Sequence, residues 1–86
     1  MSTVRVGGVR FRIHPQDHSP IHADARYAET VAIVELRADG TVALAQRSDA
    51  ITPPNAKSSD IRKVLDAASD YYDTISAAWE RMQREN

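Results

Sequence analysis

Residues 17–27 read Asp-His-Ser-Pro-Ile-His-Ala-Asp-Ala-Arg-Tyr, a polar, turn-forming run that gives way to strict alternation of apolar and polar side chains. Successive side chains of a β-strand point to opposite faces. The apolar residues of this run would therefore share one face: Ile21, Ala23, Ala25 and Tyr27. The other face would carry His22, Asp24 and Arg26. We predict that a loop leads into a strand at about 21–27, and that this strand presents an imidazole, a carboxylate and a guanidinium together.

Two further alternating runs precede this strand, at about residues 3–6 and 9–14. Between them lie Gly7 and Gly8, a pair that supplies the positive φ angles of a two-residue hairpin turn. Pro15 follows the second run and ends it, because proline has no amide hydrogen to give to a sheet. The pattern predicts a β-hairpin at the start of the chain.

Two more strands are expected downstream, at about 30–37 and 41–46. The first is rich in β-branched residues, and the pair Asp39 and Gly40 between them is typical of a hairpin turn. The prolines and small polar residues of 48–57 predict a loop without strand or helix. Together the runs predict four or five antiparallel strands joined as a meander.

Apolar residues then recur at three- and four-residue steps across about 59–84, the spacing of an apolar stripe on an α-helix. Ser58 or Ser59 would cap its start. A continuous helix of this length would span about 36 Å, whereas a typical strand spans about 17–20 Å. The helix must therefore overhang the sheet or break near Ser69 and Asp70. We predict one long C-terminal helix, and hence an α+β fold.

Composition limits the class of protein. The chain has 86 residues, which predicts a single domain over 1–86, and it has no cysteine. A disulfide framework and a thiolate zinc site are thereby excluded, and a cytoplasmic protein is the expectation. The formal net charge of −1 argues against a generally basic protein that coats nucleic acid. No apolar run approaches the roughly 20 residues that cross a bilayer, so no membrane association is expected.

One face of the sheet must pack on the helix, which leaves the other face for solvent or a partner. The polar residues of the second and third strands share that second face: Arg10, Arg12, His14, His22, Asp24 and Arg26. They are too polar to form a core. We expect this face to be the working surface, with His14 as a strand-end residue that has no chemistry of its own.

Residues 17–24, Asp-His-Ser-Pro-Ile-His-Ala-Asp, resemble the motif Asp-His-x-Pro-Pro-His-Val-His of a small prokaryotic family, the domain of unknown function 4160. The likeness covers most of the chain, from the glycine-bearing first hairpin to a C-terminal helix containing Trp79. The family's members are small proteins of bacteria and phages, often suspected of belonging to toxin–antitoxin modules. Ile21 replaces the family's second proline and Asp24 its last histidine, so a chemistry that needs a third imidazole would be lost here.

A metal site is one hypothesis for this motif. His18, His22 and Asp24 supply two imidazoles and a carboxylate, a set that suits zinc, manganese or iron. Alternate residues of one strand face have Cβ atoms about 7 Å apart, so His22 and Asp24 converge on a metal only if a twist or bulge brings them together. Otherwise they are surface residues and no cofactor is bound.

Acid–base cleavage of RNA is a second hypothesis, with His18, His22, Asp24 and Arg26 as the catalytic set. His18 or His22 would act as base and acid, since histidine titrates near neutral pH. Arg10, Arg12 and Arg26 would hold the phosphate and stabilise its developing charge. RNA would reach the site across the arginine-bearing sheet face. The sequence supplies no exposed aromatic series there to stack bases.

A protein-binding module is the third hypothesis, and the one we favour. A short sheet has free edges that pair with other chains or with a second copy, which would give a homodimer. Tyr71 and Tyr72 cannot both point inward on one helix stripe, and exposed aromatics are enriched at interfaces. With Arg10 and Arg12 they form the expected binding set. A role as an antitoxin or as an inhibitor of host defence, such as an anti-CRISPR protein, requires no catalytic residues.

Overall fold

The computed structural model describes residues 2–15 and 20–85 and has an α+β fold. Its strands are β1 (Ser2–Val6), β2 (Val9–Ile13), β3 (Ile21–Tyr27), β4 (Thr30–Leu36), β5 (Val42–Leu44) and β6 (Ile51–Thr52). Its helices are α1 (Ser58–Asp70) and α2 (Tyr72–Glu85). All five expected strands are present, with ends that differ from the predicted ones by at most two residues.

The sheet has the order β1-β2-β3-β4-β5, and every pairing is antiparallel, as a meander requires. The turn between β1 and β2 consists of Gly7 and Gly8, whose φ angles are 59° and 78°. It pairs Val6 with Val9 and so places both on the inner face of the sheet. The predicted first hairpin is therefore confirmed.

A short sixth strand corrects the prediction that residues 48–57 contain no strand. β6 pairs with β4 on the same edge as β5, beyond a loop at residues 46–49. Ile33 holds both sides of this loop: its amide donates to the carbonyl of Ala50 at 2.7 Å, and its carbonyl accepts from the amide of Ala45 at 2.9 Å. The β-branched residues of β6 suit a strand, and the prolines that follow end the pairing instead of preventing it.

The helical segment is broken at Tyr71, so the prediction of one long helix was wrong. Tyr71 has φ −113° and ψ 27°, outside the helical region, and the break lies just after Ser69 and Asp70. α1 packs on β2, β3, β4 and β5, whereas α2 packs on β1 and β2. The two shorter helices together cover the five strands of the meander, which a single straight helix would overhang.

The core lies between the helices and the inner face of the sheet. Its fully buried large side chains come from both layers: Val9, Phe11, Ile13, Val34, Leu36, Val64 and Ile75. Neither helix packs on the opposite face of the sheet, which we call the open face. In the described ranges, no helix is long and apolar enough to cross a membrane.

The start of α1 differs from the prediction in one detail. The N-cap is Lys57, with no capping bond from its side chain, so neither Ser58 nor Ser59 caps the helix. Asp60 lies in the first turn, where the helix dipole favours an acid. Its carboxylate accepts a hydrogen bond from the hydroxyl of Thr30 at 3.2 Å, which joins the helix to the start of β4.

Candidate functional site

The open face carries the polar side chains that the alternation predicted. Arg10 and Arg12 come from β2, and His22, Asp24 and Arg26 from β3. All five are exposed or half-buried, whereas the residues that alternate with them in these strands are, with the exception of Tyr27, buried. The strand register arranges the side chains of this face in lateral rows that cross from one strand to the next.

One lateral row consists of three arginines. Arg5 lies directly opposite Arg10, and Arg10 directly opposite Arg26, so β1, β2 and β3 each contribute one guanidinium. We call these three residues the arginine row. All three are exposed, and none forms an ion pair with a carboxylate of the described residues. Like charges directly opposite on neighbouring strands destabilise a sheet.

The neighbouring rows of the open face pair opposite charges instead. Arg12 lies directly opposite Asp24, and His22 directly opposite Glu35. The His22 Nε2 atom is 3.7 Å from a carboxylate oxygen of Glu35. The arginine row is thus the exception on a face that otherwise places acids beside bases.

His14, which was expected to be a strand-end residue, takes part in this network. Its Nε2 atom lies 3.0 Å from Oδ1 of Asp24, and its backbone amide donates to the carbonyl of His22 at 2.9 Å. The β2–β3 register brings His14 level with His22 and diagonal to Asp24. A carboxylate that holds an imidazole in this way orients it for proton transfer.

The predicted catalytic and metal sets do not converge among the described residues. His22, Asp24 and Arg26 are spaced along one strand, so His22 and Arg26 are about 13 Å apart in backbone position. His18 lies outside the described residues. Within residues 2–15 and 20–85 there is no group of three histidines and acids that could hold a metal ion. The His18, His22 and Asp24 metal site stays a prediction.

Two hollows adjoin the arginine row, each with a volume of about 490 Å³. The first is lined by Thr3, Arg10, Arg12, Asp24, Arg26 and Val31. The second, at the turn of the first hairpin, is lined by Arg5, Val6, Gly7, Gly8, Val9, Arg10 and Arg26. Arg10 and Arg26 line both hollows, so these two arginines of the row form the common boundary of the hollows.

Hydrogen bonds shift the pKa of two exposed carboxyls. The hydroxyl and amide of Thr41 donate to Asp39, at 2.6 and 3.0 Å, and lower the pKa of Asp39 in the β4–β5 turn. The guanidinium of Arg47 donates two bonds to Asp49 and lowers the pKa of that carboxyl. The pKa of Arg47 is raised mainly by the hydrogen bond to Asp49 and the negative charge of that carboxylate.

Tyr71 and Tyr72 lie in the helical layer, on the other side of the sheet from Arg10 and Arg12. Tyr71 is 40% exposed and lies over the Gly7 turn, which confirms the expectation that at least one of the two tyrosines is exposed. Tyr72 is half-buried, and its hydroxyl donates to the backbone carbonyl of Arg37. The four expected binding residues therefore do not form one surface.

Comparisons with known proteins yielded no family model, no curated protein and no solved structure that matches this chain. The resemblance of residues 17–24 to the family named above stays a prediction. The site is therefore interpreted from its own geometry. Arg5 and His14 thereby join the candidate site, although neither was among the site residues predicted from the sequence.

Proposed function

We propose that this protein is a small interaction module that binds an acidic partner protein through the arginine row. One observation carries the proposal: three exposed arginines lie in register on neighbouring strands, without a carboxylate partner among the described residues. Such a row lowers the stability of the sheet. Residues that oppose the stability of their own fold are typical of functional sites. A negatively charged partner would neutralise the row.

A protein fits this face better than RNA does. Within the described part of the chain, the aromatic side chains belong to the core or to the helical layer, and none lies on the open face. RNA recognition depends on aromatic platforms that stack bases. Asp24 also lies beside Arg10 and Arg26, where it would repel a continuous phosphate chain. Arginine binds carboxylates through two parallel hydrogen bonds and is enriched at protein interfaces.

The cellular role that we propose follows the family resemblance. A stoichiometric binder of prokaryotic or phage origin would act as an antitoxin or as an inhibitor of host defence, by covering an acidic surface of its target. A homodimer is part of the same proposal, since β1 is an edge strand whose outer side has no partner in the sheet.

Charge reversal tests this function. The double variant Arg10→Glu/Arg26→Glu is compared with Arg62→Glu/Arg81→Glu, a matched control that changes two exposed arginines of the helices. Binding to the purified products of the two flanking genes is measured by titration calorimetry. We expect a complex of fixed stoichiometry that the first variant weakens about 100-fold or more, because like charges then meet across the interface. Equal binding by both double variants would show that the arginine row is not the binding site for the partner.

Acid–base cleavage of RNA is the second candidate, and the His14–Asp24 hydrogen bond favours it. The bond holds an imidazole on the same face as the arginines, where a phosphate would be bound. His18, His22 and Arg26 would complete the catalytic set. RNA cleavage that is lost in His14→Ala or His22→Ala, with the circular dichroism spectrum unchanged, would replace the binding proposal with this one.

A further inference from the structure

We infer that the partner presents an acidic α-helix to the open face, laid across β1, β2 and β3, with three carboxylates at positions i, i+4 and i+7 facing the arginine row. This inference rests on the proposed function and specifies its partner. It follows from the direction and the length of the row. The helix axis would run perpendicular to the strands.

The spacing of the row matches the spacing of a helix. Neighbouring strands lie about 4.8 Å apart, so the backbones of Arg5 and Arg26 are about 10 Å apart across two strand steps. Residues i and i+7 of a helix are about 10.5 Å apart, with residue i+4 between them on the same face. Three alternate residues of an extended segment would span about 13.5 Å, which is longer than the row. A helix therefore places one carboxylate opposite each arginine.

The two hollows give room for the side chains that flank such a carboxylate ridge. They lie on either side of Arg10 and Arg26. Asp24 lines only one of the two hollows and suits a polar side chain of the partner there, whereas the residues that line the hollow at the hairpin turn include no carboxylate. This difference between the two sides would set the direction of the bound helix.

A second copy of this chain fits the row less well than a different protein does. Its own acids Asp66 and Asp70 are exposed on α1 with the i, i+4 spacing. The helix then breaks at Tyr71, so Asp73 does not continue the same ridge. A second copy would neutralise two of the three arginines and leave one unpaired.

Two fluorescent peptides of about 20 residues test the inference, with the same composition and matched helix content. One carries three glutamates at i, i+4 and i+7, and the other spreads them around the helix. Fluorescence anisotropy measures the binding of each to the wild-type protein and to Arg10→Thr. We expect the first peptide to bind about 10-fold more tightly, in a salt-dependent manner, and Arg10→Thr to remove this preference.

Equal affinity for the two peptides, or a preference that Arg10→Thr retains, overturns the inference. Tighter binding of a single-stranded RNA of equal charge overturns it as well. So does a dimer in sedimentation velocity that Arg10→Thr dissociates, because a second copy would then occupy the row. If the two peptides bind equally while charge reversal still weakens the natural complex, the partner does not present an acidic helix, but the proposed function stands. If charge reversal has no effect, both fail.

Discussion

Ala28 holds a backbone conformation that suits glycine. Its φ is 53°, the only positive value among the described residues that are not glycine. It lies in the two-residue turn between β3 and β4, where Tyr27 pairs with Thr30. A Cβ atom in this left-handed region crowds the following carbonyl, at a cost of about 1 kcal/mol.

Ala28→Gly should therefore stabilise the protein. We expect the free energy of unfolding in urea to rise by about 0.5 kcal/mol, since the relief of strain exceeds the flexibility that glycine adds to the unfolded chain. Gly7→Ala is the matched control. Gly7 has φ 59°, and a Cβ there would lie 3.1 Å from Cε2 of Tyr71, so this change should destabilise the protein. A loss of stability in both variants would show that the β3–β4 turn is not strained.

Single residues also show where sequence reasoning about the site succeeds and where it stops. The sequence is enough to place Arg5 directly opposite Arg10, because the two-residue turn at Gly7 and Gly8 fixes the register of β1 and β2. The sequence does not place Arg10 opposite Arg26, because the long connection between β2 and β3 permits more than one register of these strands. The same freedom hid the contact between His14 and Asp24, which depends on a diagonal across these two strands.

At the scale of elements, the break between α1 and α2 has no signal in the local residue pattern. The apolar spacing from Val64 through Ala68 to Ile75 and Met82 continues without interruption, and the segment has no proline or glycine. The comparison of helix length with sheet width did predict a break or an overhang. The short strand β6 was missed for a related reason: its pairing partner is β4, and the 46–49 loop interrupts the local pattern.

The docking of α2 can be tested at one buried residue. Ile75 is fully buried between α2 and the sheet, whereas its neighbour Thr74 is exposed. Ile75→Ala should lower the free energy of unfolding by about 3 kcal/mol, through lost burial and the cavity left behind. Thr74→Ala should change it little. Similar small effects in both variants, measured by urea denaturation, would mean that α2 does not pack on the core through this face.

At the scale of the molecule, the net charge of −1 conceals a local concentration of positive charge. The arginine row lies on the open face, while the helices on the other side expose acids and bases in equal number: Asp66, Asp70, Asp73 and Glu80 beside Arg62, Lys63, Arg81 and Arg84. Composition therefore excluded a generally basic protein but could not reveal the basic row. The two layers and the order of the first five strands can be predicted from residue periodicity and turn-forming residues. The distribution of charge on the surface cannot be predicted without the register of the strands.

The stability of Arg10→Thr, measured beside Arg12→Thr at low ionic strength, tests the central claim most directly. Both changes replace an exposed arginine of β2 with the same β-branched residue, but Arg10 opposes two arginines and Arg12 opposes Asp24. We expect the free energy of unfolding to rise by about 0.5 kcal/mol for Arg10→Thr and to fall by about the same amount for Arg12→Thr. Both differences should shrink in high salt. A loss of stability in Arg10→Thr equal to that in Arg12→Thr would contradict the claim that the arginine row is an unneutralised site.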